Sequence, residues 1–327
     1  MMRPLSRSLT ALAAVLALSA TACAEEAAET ETAPLADTEV QEPAPGPQEA
    51  PGAEAIAAAS AQDWRTVDPD RLLVIATGRG PIYVELAPEF APDHVERMKT
   101  LAEEGYYRMK VWHRVIDDFM AQGGGALDNP NEAPDKPALE AEFTIQRGPD
   151  MEITELQQRV INPGRGATRA MAGFWNGMPA GTQPIAQAAI SQSGTVESWL
   201  LHCPGAAAMA RTNDPNSARG QFYIVTGDAS HLNTQYTVWG FTRAGMDIVQ
   251  ALPVGSLAED PYFEPDFIRS MTVASALPED ERLRIEVMDT TSDAFAAYLD
   301  AVAEAHGGEL PDICEIEIPV RITEPTE

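Results

Sequence analysis

The chain has 327 residues, with 22 basic and 50 acidic side chains and a net charge of -28. That excess of carboxylates, with no basic stripe anywhere, excludes a nucleic-acid partner, whose phosphates need clustered Lys and Arg. The length leaves room for one decorated domain or two small ones. Residues 1–22 read as a signal peptide: Arg3 and Arg7 precede an apolar run at 9–20 that is too short to span a bilayer and ends in small residues. Residues 23–66 form an Ala, Glu, Pro and Thr tract with few aromatic or branched apolar residues, which reads as an acidic, solvated tether.

Ala20-Thr21-Ala22-Cys23 resembles a bacterial lipobox, with Ala where Leu is usual. The resemblance implies that Cys23 is lipidated and ties the chain to a bacterial envelope membrane on its periplasmic side; the alternative is ordinary cleavage before a free Cys23 thiol. Cys203 and Cys314 are the other cysteines, and no CxxC or Cys/His spacing suggests a metal site. In an oxidising compartment these two could form a disulfide, although sequence does not show them to be neighbours. No cofactor is called for.

Ordered structure is expected from residue 67. Leu72–Thr77 and 82–86 are β-branched and apolar runs separated by Gly78-Arg79-Gly80-Pro81, a hairpin signal. Pro92 suits a first helical turn, Val95, Met98, Leu101 and Ala102 share one face, and Gly105 ends the helix. Residues 109–120 read as one strand leading to a tight turn at Gly123-Gly124-Gly125, with further strands at 206–210, 221–226, 236–241 and 268–273. A short helix is expected at 246–252. Many short strands and two helices indicate an antiparallel barrel or sandwich, hence a mainly β protein. Residues 144–201 look like an insertion anchored by Trp175 and Trp199. The extension 276–327 carries a helix begun by Ser292, with Phe295, Leu299 and Val302 on one side and Gly307-Gly308 at its end, then a strand over 314–322.

No GxSxG, P-loop or complete GxGxxG occurs, and Asp117 and Asp118 are adjacent, which suits a turn better than an acid/base pair. The segment His113-Arg114-Val115-Ile116-Asp117-Asp118-Phe119-Met120-Ala121-Gln122-Gly123-Gly124 remains, and it closely resembles the cyclophilin signature HRxxxxFMxQGG. Met209-Ala210-Arg211 through Gly220-Gln221-Phe222-Tyr223-Ile224, and His231-Leu232-Asn233 to Tyr236-Thr237-Val238-Trp239-Gly240, resemble two further cyclophilin blocks in the family's order. The pattern covers 67–275 apart from the insertion, resuming at His202-Cys203-Pro204-Gly205.

The resemblance implies an eight-stranded antiparallel barrel capped by two helices, and a peptidyl-prolyl cis/trans isomerase acting on proline-containing polypeptides as a monomer. By the same resemblance Arg114 is the catalytic donor and Gln122 orients it. Phe119, Met120, Tyr223 and Leu232 form the proline pocket, and Ala210, Arg211, Gln221, His231 and Tyr236 complete the substrate groove. Departures from the best-known eukaryotic members are His231 for Trp, Tyr236 for His, Arg211 for Asn and Gly125 for Asp. They imply retained activity with altered affinity for the family's cyclic peptide inhibitors. The alternatives are a catalytically inactive cyclophilin-like module that only binds peptide, and a platform whose C-terminal extension binds a partner.

Overall fold

The computed structural model describes residues 50–162 and 168–324. The expected signal peptide, Cys23 and residues 24–49 of the expected tether lie outside the described residues. The alternating apolar runs form an antiparallel sheet of ten strands, curled on itself. Its order is Gly255–Ser256, Arg114–Ile116, Met120–Gly123, Phe222–Val225, Ala206–Met209, Val238–Ala244, Pro81–Leu86, Leu72–Thr77, Phe267–Val273 and Lys110–Val111. The ends meet where Val111 N–H donates to Gly125 O at 2.9 Å and Gly124 N–H to Val111 O at 3.2 Å. Ten strands therefore stand where eight were expected. The two at the open end, Gly255–Ser256 and Arg114–Ile116, lie beyond the closing bridge, with Val115 still packed into the core.

The run at 109–120 is not the single strand expected of it. It breaks after Lys110–Val111, resumes as Arg114–Ile116 and turns back through Asp117, Asp118 and Phe119 into Met120–Gly123. Asp118 takes φ 50°, a left-handed conformation that Asp tolerates. Gly227 lets that turn sit close, because a Cβ there would lie 1.9 Å from Asp118 O. Inside the curl, Leu73, Ile75, Ile82, Val84, Trp112, Phe222 and Trp239 are buried together with the inward face of the helix Pro92–Glu103. The short helix Met246–Gln250 adds Val249 to the same core.

The insertion has a sheet of its own, ordered Ile145–Arg147, Val196–Leu200, Met178–Thr182, Thr168–Trp175 and Thr154–Asn162. Its central strands are buried on both faces, and side chains alternate with the pleat. Trp175, Met178, Ala180 and Leu200 turn to the outer face of the barrel, while Ala172, Phe174, Trp199 and Leu201 turn to the C-terminal helix. Asn176 (φ 49°) and Gly177 (φ 70°) make its central hairpin, the two left-handed residues a tight β-turn requires.

The extension contributes the helix Asp293–Ala305, capped by Ser292 Oγ accepting from Phe295 N–H at 3.1 Å. Its strand content differs from expectation: Ile313–Glu315 is a 3-10 turn capped by Asp312, and the strand is Val320–Thr323, past Pro319. That strand and Trp64–Thr66 flank Arg284–Met288, which pairs with both in a three-stranded antiparallel sheet. The expected tether thus ends earlier than 66. The helix Ala53–Ala58 and Trp64 belong to the folded unit because Ala55, Ile56, Ala59 and Trp64 supply apolar surface that packs on Phe295 and Tyr298.

Two devices hold these parts together. Cys203 and Cys314 are bonded, with Cα atoms 4.9 Å apart, so the extension is stapled to the chain just before the strand Ala206–Met209. Buried Glu85 accepts from Arg65 at 2.6 and 2.8 Å and from Arg243 Nε at 2.7 Å. Arg243 also donates to Asn176 O and Gly177 O, both at 2.8 Å. Burial pushes the Glu85 carboxyl up, but the two guanidiniums outweigh it and hold it below the usual carboxylate range. A buried carboxylate with two arginines and satisfied hydrogen bonds is costly to interrupt from either side.

Candidate active site

Strand register places the key side chains. Arg114 pairs with Gln122, Gln122 with Tyr223, and Tyr223 with Ala208. Directly opposite residues share a face of the sheet, so these four form one row on the outside of the barrel. Met120, two residues from Gln122, stands on the same face. The intervening row, Val115, Ala121, Ile224 and Ala207, points into the barrel core.

Of the outward residues, Arg114, Met120, Gln122 and Tyr223 line a cavity of about 250 Å³, bounded also by Phe119, Leu232, Tyr236, Ala210 and Arg211. Apolar walls of Met120, Tyr223, Phe119 and Leu232 face the Arg114 guanidinium across it. Arg114 is half-buried, its Nη1 is 3.9 Å from Met120 Sδ, and among the described residues no carboxylate pairs with it. A guanidinium held beside a thioether and not spent on an ion pair keeps its N–H donors for a ligand.

Gln122 Nε2 donates to Gln221 Oε1 at 3.2 Å, and Gln221 Nε2 donates to Pro130 O and Glu132 O, each at 2.8 Å. Gln221 therefore sits behind Gln122 and holds it. It lines a neighbouring cavity of about 400 Å³ and not the apolar one. Gln221 thus positions Gln122, and the cavity it lines shares Gln122, Ala210 and Arg211 with the apolar one. His231 is likewise displaced from the cavity lining: its ring stacks on Phe119, with centroids 5.6 Å apart and planes at 23°, and braces that wall from outside.

Arg211, which stands where Asn is common in the family, lines the cavity but commits three of its five N–H donors to backbone carbonyls. Nε and Nη2 donate to Gln235 O at 3.1 and 3.0 Å, and Nη1 donates to Thr212 O at 2.7 Å. Its guanidinium carbon lies 4.2 Å from the centroid of the Tyr236 ring and 5.8 Å from that of Phe143. It thereby fixes Tyr236 as a wall through cation–π contact and backbone hydrogen bonds.

A buried chain behind the pocket was missed by sequence reasoning. His202 Nδ1 lies 3.3 Å from Asn233 Oδ1 and its Nε2 lies 3.0 Å from Tyr223 Oη. An amide oxygen only accepts, so Nδ1–H donates to Asn233 and the Tyr223 hydroxyl donates to Nε2. Burial, against the Asn233 contact, pushes the imidazole down to about 4, and burial pushes the Tyr223 phenol well up. Both groups are neutral at pH 7, so the aromatic wall carries no charge. The available signal was His202 beside Cys203, where the family pattern resumes, but a lone His gives no hint of its partners.

Comparison with known proteins agrees with this geometry. The family model described as cyclophilin type peptidyl-prolyl cis-trans isomerase/CLD matches residues 72–273. A probable peptidyl-prolyl cis-trans isomerase of Brucella suis is 30% identical over 220 residues, covering 67% of this chain and 90% of the relative. A peptidyl-prolyl cis-trans isomerase of Streptomyces antibioticus is 29% identical over 184 residues, covering 54% of this chain and 79% of its own. The crystal structure of a cyclophilin from Hirschia baltica superposes with a TM-score of 0.69 at 35% identity, covering 81% of this chain and 95% of that one. The similarity to Hirschia baltica spans more of the chain than the family model does and so takes in part of the added sheets. The chain belongs to the cyclophilin-type peptidyl-prolyl cis/trans isomerases.

Proposed function

We propose that this isomerase works on exported polypeptides from a lipid anchor, with Arg114 as the catalytic residue in the cavity on the outer face of the barrel. The peptide bond has a rotation barrier of about 18 to 20 kcal/mol, and only before proline is the cis form appreciably populated. At the half-rotated transition state resonance is lost and the prolyl nitrogen gains a lone pair, which a donor can bind in that state alone. Burying the proline ring against Phe119, Met120, Tyr223 and Leu232 contributes about 2 kcal/mol at roughly 0.8 per CH₂, but holds both planar isomers and the twisted form alike. An acceleration of about 10⁵-fold needs about 7 kcal/mol of differential stabilisation, which falls to Arg114 and the groups that orient it.

The observation that carries the assignment is the row Arg114, Gln122, Tyr223 on one face of three adjacent strands, with the guanidinium unpaired beside the apolar pocket. Exchange spectroscopy on an Ala-Pro peptide tests it. The wild type should accelerate cis/trans exchange, and Arg114→Ala should lose about 10²- to 10³-fold of that acceleration, as loss of a transition-state donor does. A folded Arg114→Ala protein as fast as wild type would sink the assignment, and peptide binding without acceleration would favour a binding module.

Export and periplasmic attachment through Cys23 are supported by the N-terminal charge and apolar pattern and by the Cys203–Cys314 bond, since disulfides persist in oxidising compartments. No helix of the described residues is long and apolar enough to cross a membrane. Cys23→Ser should move the protein from the membrane to the soluble fraction of cells expressing it; unchanged membrane association would refute lipidation.

A further inference from the structure

A second cavity, of about 390 Å³, lies on the other side of the wall that bounds the proline pocket. That wall is the single 3-10 turn Ser230–Leu232. Leu232 lines the first cavity, while Ser230 and His231 line the second, and His231 also stacks on Phe119 of the first. The remaining walls come from the added parts of the chain: Arg159 and Val160 from the insertion, Asp312 and Cys314 from the extension. The disulfide fixes this side of the cavity relative to the barrel.

A turn with its side chains is about 10 Å across, and an extended chain covers about 3.3 to 3.6 Å per residue, so a peptide leaving the proline pocket over His231 reaches the second cavity in about three residues. Its floor is apolar, with Val160, Leu201 and Ile313. The polar groups at its rim are unequal. Asp312 is held in place by its Oδ1 accepting from Cys314 N–H at 2.9 Å and keeps its charge, whereas Arg159 is exposed and, among the described residues, has no carboxylate partner and is the one cation of this lining. In a chain of net charge -28, which repels acidic clients at long range, this places an unspent cation beside the path of the substrate.

We infer that this cavity is a subsite for a residue within about three positions of the substrate proline, and that Arg159 makes it favour a carboxylate side chain there. The inference rests on the isomerase reading above and adds a specificity to it. Peptides that carry Glu, Lys or Ala at each of the three positions on either side of the proline, assayed by exchange spectroscopy at low ionic strength, test it. At one position the wild type should act on the Glu peptide about two- to five-fold better than on the Lys peptide, the range of an exposed ion pair, and the bias should fade with salt. Arg159→Gln should flatten that ratio and Arg159→Glu should invert it. Arg284→Glu, the same change of net charge in the three-stranded sheet, should leave the ratio as in wild type.

Equal rates on Glu and Lys peptides at every position, a preference for Lys, or an equal shift from Arg284→Glu would each overturn the subsite while leaving the isomerase intact. Failure to accelerate any of the peptides would sink both readings. Arg159 is exposed, so its variants are expected to fold, and the ratio between two peptides is insensitive to how much protein is active.

Discussion

The outer face of the barrel meets two different fates along the same strands. Around Arg114, Gln122 and Tyr223 it opens into the proline pocket, while one step away Ala206, Ala208 and Val225 are sealed beneath Met178, Ala180 and Leu200 of the insertion sheet. Small side chains let the second sheet approach closely, and Ala206, Ala208, Met178 and Ala180 are all almost fully buried there. Where the strands carry long polar or aromatic residues the cover stops. The added sheet therefore does two things at once: it buries apolar surface that a bare barrel would expose, and it sets the edge of the groove.

The most forceful way to break this comparison is to remove the staple that ties the C-terminal extension, on which the insertion sheet packs, to the start of the barrel strand Ala206–Met209. A double variant Cys203→Ala, Cys314→Ala frees a loop with a sequence separation of 111 residues, and in the chain-entropy model this costs about 4 to 5 kcal/mol. Chemical denaturation should show that loss, while exchange rates on an Ala-Pro peptide at low temperature should hold, because neither cysteine lines the proline cavity. If the rate collapsed in a protein that was still folded, cover and groove could not be treated as separate regions.

The contrast also explains what could be read from the residues. The barrel, its first helix and the lining of the pocket were legible because the hydrophobic period and a dense motif point the same way, from Leu72–Thr77 through Arg114 and Gln122 to Tyr223. The cover was not. Its strands are buried on both faces, so they lack the alternation that marks a half-buried strand, and their Gly, Ala and Gln content resembles loop composition. Asn176-Gly177 was the one strong hairpin signal available there, and it went unused among the other glycines. Residues 53–66 were misread because a few apolar side chains in an acidic tract suffice once a preformed helix receives them, as Phe295 and Tyr298 receive Ile56 and Trp64. The roles of Gln221 and His231 turn on which side of a wall a side chain stands, and that depends on a tertiary contact that sequence does not encode locally.

A gentler probe acts on the seam between the two regions, where His202 adjoins Cys203 and supports Tyr223. The imidazole titrates near 6.5 in the unfolded chain but is pushed down to about 4 by burial in the native state. Between those values the unfolded chain binds the extra proton, so stability is fully present above pH 6.5 and falls as the pH drops towards 4. The gap is worth about 3 kcal/mol in all, most of it lost by pH 4.5, where carboxylates such as Glu85 also take up protons in the unfolded chain and add to the slope in both proteins. His113, also held low by burial, acts in the same direction. Denaturation midpoints measured from pH 7 to 4.5 should therefore slope downward for wild type and clearly less so for His202→Gln, whose amide can donate to Asn233 and accept from Tyr223 without titrating. Equal slopes in the two proteins would mean that His202 is not held neutral by its burial, and that the chain from Asn233 through His202 to Tyr223 does not brace the pocket in the way its geometry implies.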